Sequence, residues 1–196
     1  METNNLIDNL KHEAVRKHVK FLWLAKLLTK IYLRIGEYLF KNGLISDVVD
    51  VDVLTGLYNR NFFERWSPKL VAQAKRSGVV ISLINFDLND LKKTNDTKGH
   101  EAGNKMLRKF ARKVTKKIRE SDLLCRIGGD EFVAVMWACD TEKAIVKIEK
   151  VVKILRKEKI YFSYGVVDSS SGLGLSEMIS EADKLMYTMK REMKRK

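Results

Sequence analysis

The stretch Leu123-Leu124-Cys125-Arg126-Ile127-Gly128-Gly129-Asp130-Glu131-Phe132-Val133-Ala134-Val135-Met136 decides how this chain is read. Two short apolar, strand-favouring runs flank a glycine pair, and glycine gives the backbone the freedom that a tight reversal needs. The stretch therefore predicts an antiparallel hairpin with Asp130 at its turn. Upstream, Val79-Val80-Ile81-Ser82-Leu83-Ile84-Asn85-Phe86 is nearly continuous in apolar and β-branched residues, the pattern of a central strand covered on both faces. That strand runs straight into Asp87. Taken singly, Asp87 reads as the cap of the next turn and Asp130 as an ordinary hairpin residue. Taken together, strand pairing would bring two acids side by side, and magnesium is held by one or two carboxylates with water and substrate phosphates completing its shell.

Outward from this centre the chain alternates helix and strand. A helix is expected over 59–78, with Ser67-Pro68 reading as a fresh N-cap and first helical residue, hence a break or kink. A polar stretch over 88–100 leads to a helix over 101–119, in which Met106, Phe110, Val114 and Ile118 recur every fourth residue as core positions. A helix over 141–156, a strand over 160–167 and a last helix from 176 onward follow. Helices interleaved with strands predict an α/β layer fold.

Ahead of this region, residues 21–40 are apolar but broken by Lys26, Lys30, Arg34 and Glu37, so they do not read as a membrane span. Phe21, Leu24, Leu28, Ile31, Ile35 and Tyr38 lie in steps of three and four along one helical seam, which two copies would bury by pairing. The neighbouring basic stripe is the competing feature, as in helices that lie on a membrane surface, and pairing is the favoured reading. The acidic run Asp47-Val48-Val49-Asp50-Val51-Asp52 reads as a linker, dividing a helical extension over 1–49 from a domain over 50–196.

The formal net charge of +13 predicts attraction to polyanions, yet basic runs such as 105–119 and 190–196 are ordinarily solvated helix faces. No aromatic and basic interleaving of a nucleic-acid binder accompanies them, so nucleic acid is not the expected partner. Cys125 and Cys139 lack the spacing of a zinc or redox motif. The polar, acidic first residues do not form a secretory leader, and a cytoplasmic protein is expected.

Several motifs, in order, resemble those of one known family. Gly128-Gly129-Asp130-Glu131-Phe132 is the signature that names the GGDEF diguanylate cyclases. Asp52-Val53-Leu54-Thr55-Gly56-Leu57-Tyr58-Asn59-Arg60 resembles that family's opening DxLTGLxNR element, and Asn95-Asp96-Thr97-Lys98-Gly99-His100 its NDTxGH segment. Ser163-Tyr164-Gly165 is similar to its SxG strand. Ala182-Asp183 through Tyr187 to Lys190 is similar to its ADxxLYxxK helix, with Met186 in place of leucine. The resemblance implies a palm-like α+β fold, a mainly antiparallel central sheet flanked by helices and related to polymerase palms and class III adenylyl cyclases. It also implies a homodimer in which each of two GTP molecules attacks the α-phosphate of the other, giving cyclic di-GMP and two pyrophosphates.

Carried over by position, the resemblance makes Asp87, the Leu88 carbonyl and Asp130 ligands of Mg2+, or Mn2+ in its place, with Glu131 assisting and Lys92 stabilising the transition state. Asn95, His100, Asn104 and Gly129 fall at the nucleotide, and Lys190 and Lys194 at its terminal phosphates, although the family usually has arginine at the latter position. Arg119-Glu120-Ser121-Asp122 matches an RxxD inhibitory site for the product, carried by Arg119 and Asp122.

The match is broken in two places. Asn104 stands where the family has an aspartate that accepts hydrogen bonds from guanine. An amide offers both a donor and an acceptor, a pattern that also suits adenine, so use of ATP beside or instead of GTP is a second expectation. Asn89 and Asp90 also depart from the family's DxDhFK run and put an acid near the expected phosphates. A degenerate module that binds nucleotide only to signal is the remaining alternative, opposed by the intact Asp87, Lys92 and Asp130.

Overall fold

The computed structural model describes residues 50–195 together with Arg34, so the seam over 21–40 lies outside the described residues. The core of the fold is one five-stranded sheet. Its strands are β1 (Tyr58–Asn59), β2 (Ile81–Leu88), β3 (Leu123–Arg126), β4 (Glu131–Trp137) and β5 (Phe162–Asp168), in the order β1-β3-β4-β2-β5. Only β1 and β3 run parallel, and the other three pairings are antiparallel. The expected mainly antiparallel sheet with flanking helices is therefore the fold observed.

All eight residues of β2 are buried, because helices cover both sheet faces. Side chains alternate across a strand, so Ile84, Phe86 and Leu88 share one face with Phe132 and Ala134. Against that face pack α3 (His100–Thr115) and α4 (Thr141–Lys157) through Phe110, Val114, Ile148 and Leu155. Phe110 meets Phe132 and Phe162 at ring-centroid distances of 4.7 and 5.1 Å. Each such fully buried ring contributes about 1.5–3 kcal/mol from burial alone, which fixes α3 against the sheet. On the opposite face Leu83, Val133 and Val135 meet α1 (Arg60–Ser77) and α5 (Leu175–Arg195) through Phe63, Ala74, Met178 and Ala182.

Local signals set the ends of these helices. Asn59 caps α1 by accepting from the Phe62 amide at 3.1 Å, and Gly78 ends it in the left-handed conformation with φ of 63°. Asp140 caps α4 by accepting from the Lys143 amide at 2.9 Å.

Four expectations need correction. The break at Ser67-Pro68 does not occur, and α1 runs through it. Pro68 and Glu64 are both exposed, so the Glu64 carbonyl that loses its helical donor faces water. Residues 50–52 are not linker. Asp50 is buried and ion-paired with Arg65, its carbonyl accepts from the Asn59 amide at 2.7 Å, and Val51 bridges to Tyr58. The polar stretch after the central strand contains a further helix, α2 (Leu91–Lys98). Finally, α3 stops at Thr115, and residues 119–122 form a turn closed by the Arg119 amide donating to Asp122 Oδ2 at 2.8 Å.

Gly165 shows how tightly α5 lies on the sheet. A Cβ there would fall 2.0 Å from the Ala182 carbonyl oxygen and 2.7 Å from the Met186 nitrogen, both backbone atoms that cannot step aside. Gly165→Ala is expected to lower stability by about 1–3 kcal/mol, the cost of overpacking. Gly129→Ala, with nothing within 4 Å of its added carbon, should change stability by no more than about 0.5 kcal/mol. Urea denaturation of the two variants checks the contrast.

Candidate active site

The ends of β2 and the β3–β4 hairpin are joined by backbone. Asp87 lies opposite Glu131 in the antiparallel register, and the Leu88 amide donates to the Asp130 carbonyl at 2.9 Å. Asp87 and Glu131 thus share a sheet face, and Asp130 is the next residue along. The Asp87 carboxylate is largely buried. Its Oδ2 accepts from Lys190 Nζ at 2.6 Å, and its Oδ1 is buried with no hydrogen-bond partner. A buried, unpaired carboxylate oxygen carries a desolvation cost that a hard cation would remove. On that observation Asp87 fits a divalent metal, with Asp130 at the adjoining turn.

Beside this junction opens a cleft of about 940 Å3. Leu88, Lys92, Asp130, Lys190 and Lys194 line it, together with Asn89, Asp90, Arg156 and Tyr161. Five cationic side chains (Lys92, Lys93, Arg156, Lys190, Lys194) face three carboxylates (Asp90, Asp96, Asp130), a balance that suits a polyanionic ligand. At the cleft wall α2 begins. Its N-cap, Asp90, has a left-handed φ of 60° and makes no side-chain capping bond, so the amides of the first turn have no capping acceptor from it.

The remaining expected positions lie elsewhere. Asn95, His100, Asn104 and Gly129 are not among the residues that line the cleft. Asn95 packs against Gly103, where a Cβ would fall 1.9 Å from its Oδ1, and this places it beside Asn104 where α2 meets α3. His100 is exposed at the first residue of α3. Arg119 is exposed, but the Asp122 side chain is fully buried and already engaged. It accepts from the Arg119 amide and from the Trp137 amide at 3.0 Å, and it pairs with Lys147 at 3.5 Å. Asn89 departs from the expected acid with a local role, its Oδ1 accepting from Ser163 Oγ at 3.1 Å.

Several residues that brace this site were not singled out from sequence. Asp52 accepts from the Thr55 amide at 2.9 Å and Thr55 Oγ1 at 2.6 Å, and both its oxygens take Arg126 Nη1 at 3.1 Å. Arg126 in turn donates to the Gly129 carbonyl at 2.7 Å, while Arg60 Nε donates to the Ile127 carbonyl at 2.8 Å and pairs with Glu131 at 3.9 Å. The turn is held from outside by the opening element of the domain. On α5, Asp183 accepts from Asn85 Nδ2 at 2.6 Å, anchoring to β2 the helix that carries Lys190. The recurrence of Asp52, Arg60 and Asp183 within the resembling motifs was the available signal. Arg156 and Tyr161 gave none, since only the tertiary fold brings them to the cleft. Neither cysteine is a nucleophile, for both are buried and burial pushes the Cys125 thiol up to about 12.

The family model described as "Diguanylate cyclase, GGDEF domain" matches residues 49–196. The chain belongs to the GGDEF family. The diguanylate cyclase DgcS of Shewanella oneidensis is 32% identical over 145 residues, covering 71% of this chain and 49% of DgcS. The response regulator PleD of Caulobacter vibrioides is 32% identical over 171 residues, covering 85% of this chain and 38% of PleD. Among solved structures, the diguanylate cyclase SiaD of Pseudomonas aeruginosa, in complex with its activator SiaC, matches with a TM-score of 0.67 at 25% identity. The match covers 96% of this chain and 76% of SiaD. The chain thus spans about half the length, or less, of these two curated relatives. Among the described residues no helix is long and apolar enough to cross a membrane.

The brace on the GGDEF turn titrates. Burial pushes the Asp52 carboxyl up, but hydrogen bonds from Thr55 and the Arg126 charge outweigh this and hold it below the ordinary 3.8. A carboxylate with a lowered folded-state pKa contributes stability above its unfolded value and loses it as pH falls toward the folded one. The stability gap between the parent and Asp52→Asn should therefore be constant above about pH 5 and narrow below it. Denaturation midpoints from pH 7 to pH 3 check this, and a gap independent of pH would contradict it.

Proposed function

We propose that this chain is a diguanylate cyclase that condenses two GTP into cyclic di-GMP with release of two pyrophosphates. The observation that carries the reading is the backbone register that joins the end of β2, with Asp87, to the turn that carries Asp130, beside a cleft lined by Asp130, Lys92, Lys190 and Lys194. Membership of the GGDEF family supports it. Asp87, the Leu88 carbonyl and Asp130 would hold a divalent cation, Mg2+ or Mn2+, with Glu131 assisting. The cation supplies Lewis-acid chemistry, making the attacking hydroxyl more acidic and neutralising charge on the leaving group.

The chain's own groups do the rest. Lys190 and Lys194 bind the terminal phosphates, the first turn of α2 offers amides to them, and Lys92 faces the charge that develops at the α-phosphate. Asn95, His100, Asn104 and Gly129 meet the nucleoside. Each 3′-hydroxyl loses its proton as its oxygen bonds to the other nucleotide's α-phosphorus, and the bond to pyrophosphate breaks. Two such bonds require two nucleotides facing each other, one in the cleft of each copy, so the working form is a homodimer in the cytoplasm. The extension over 1–49 would serve this pairing. Product returns to Arg119 as an inhibitor. Because Asp122 is committed to internal bonds, Arg119 carries the greater part of that binding.

Asn104 favours a second reading in which adenine is accepted. Its amide can donate to and accept from adenine as well as guanine, whereas a carboxylate only accepts.

Purified protein incubated with GTP, ATP or both, with products resolved by chromatography, tests both readings. Cyclic di-GMP is expected from GTP, with adenine-containing product in the mixture, and Asn104→Asp should remove the latter. Asp87→Asn and Asp130→Asn should each lower product formation at least about 100-fold. Full activity in either aspartate variant would overturn the assignment, and a product mixture unchanged by Asn104→Asp would overturn the relaxed base choice.

A further inference from the structure

The Lys190–Asp87 pair has a consequence for the order in which ligands assemble. The two side chains are 27% and 11% exposed, so the pair is partly withdrawn from water, and its 2.6 Å separation makes it a charge-assisted hydrogen bond. Asp87 is not among the residues lining the cleft, whereas Lys190 is. Among the described residues Lys190 is also the one cation that pairs with Asp87. A metal ion that takes Asp87 must therefore compete with the ammonium already there, and the freed ammonium needs another anion.

We propose that Lys190 is a positioning residue that keeps Asp87 occupied until a triphosphate arrives, so that divalent cation and nucleotide bind cooperatively. This rests on the reading of Asp87 as a metal ligand. The cation without nucleotide leaves Lys190 half-buried and unpaired. The nucleotide without cation must draw Lys190 from Asp87 and leave that carboxylate buried and bare. Each ligand removes the penalty that the other meets, and by linkage the enhancement is mutual. A lysine suits the task, since its flexible stem lets one point charge move from carboxylate to phosphate.

The test is Mn2+ binding to the full chain, followed by the electron paramagnetic resonance of free Mn2+, with and without an α,β-methylene analogue of GTP. Without analogue, Lys190→Met should bind Mn2+ about tenfold more tightly than the parent. The analogue should then tighten Mn2+ about tenfold more in the parent than in Lys190→Met. Lys194→Met loses the same charge from the same cleft without touching Asp87, so it should behave as the parent does in the absence of analogue. Equal Mn2+ affinity in Lys190→Met and the parent, or an equal gain in Lys194→Met, would overturn the proposal. Asp87→Asn separates the coupling from the metal-ligand reading. If it abolishes Mn2+ binding while Lys190→Met has no effect, the coupling alone fails. If it leaves Mn2+ affinity with analogue unaltered, the metal-ligand reading fails with it.

Discussion

The site depends on one register. Asp87 stands opposite Glu131, and the Leu88 amide is bonded to the Asp130 carbonyl, so the end of the most buried strand and the hairpin turn cannot move independently. A shift of one residue would send every side chain of β2 to the other face, placing apolar residues where Asp87 meets Lys190. The core prevents this, because helices pack both faces of β2 and each face has its own side-chain set. The hydrogen bonds that hold the sheet together therefore also hold Asp87 beside the turn that carries Asp130.

Around that register the chain builds two braces. From one side Asp52 grips Arg126, which grips the Gly129 carbonyl, so the first motif of the domain restrains the turn of the signature motif although 74 positions separate the paired residues. From the other side Asp183 ties α5 to Asn85 in the centre of β2, and α5 delivers Lys190 to Asp87. The close approach of Ala182 to Gly165 lets this helix lie near enough for the lysine to reach. Sequence motifs that look like a scattered set are thus successive contacts along one path from sheet to cleft.

Much of this was legible in the residues. The apolar run before Asp87 and the paired runs around Gly128-Gly129 marked the central strand and the hairpin, because a fully buried strand leaves a continuous apolar signature. What sequence did not reveal was set by tertiary context. Helix α2 has a single buried residue, Leu91, and almost no apolar periodicity, so its polar surface read as loop. Pro68 read as a break because its effect depends on whether the orphaned carbonyl faces solvent. Asp50 and Asp52 read as linker because a carboxylate's structural pairing is recognisable only once its arginine partner is placed. Asp122 looked like a ligand-binding acid, yet the fold uses its oxygens to close a turn.

The proposed function requires Asp87 and Asp130 to share a divalent cation at a nucleotide's phosphates. Anomalous diffraction from crystals grown with Mn2+ and an unreactive GTP analogue measures this most directly. A peak bonded to Asp87 Oδ1 and to the Asp130 carboxylate, with Lys190 turned to phosphate, is expected. A peak elsewhere in the cleft, with Lys190 still on Asp87, would contradict it.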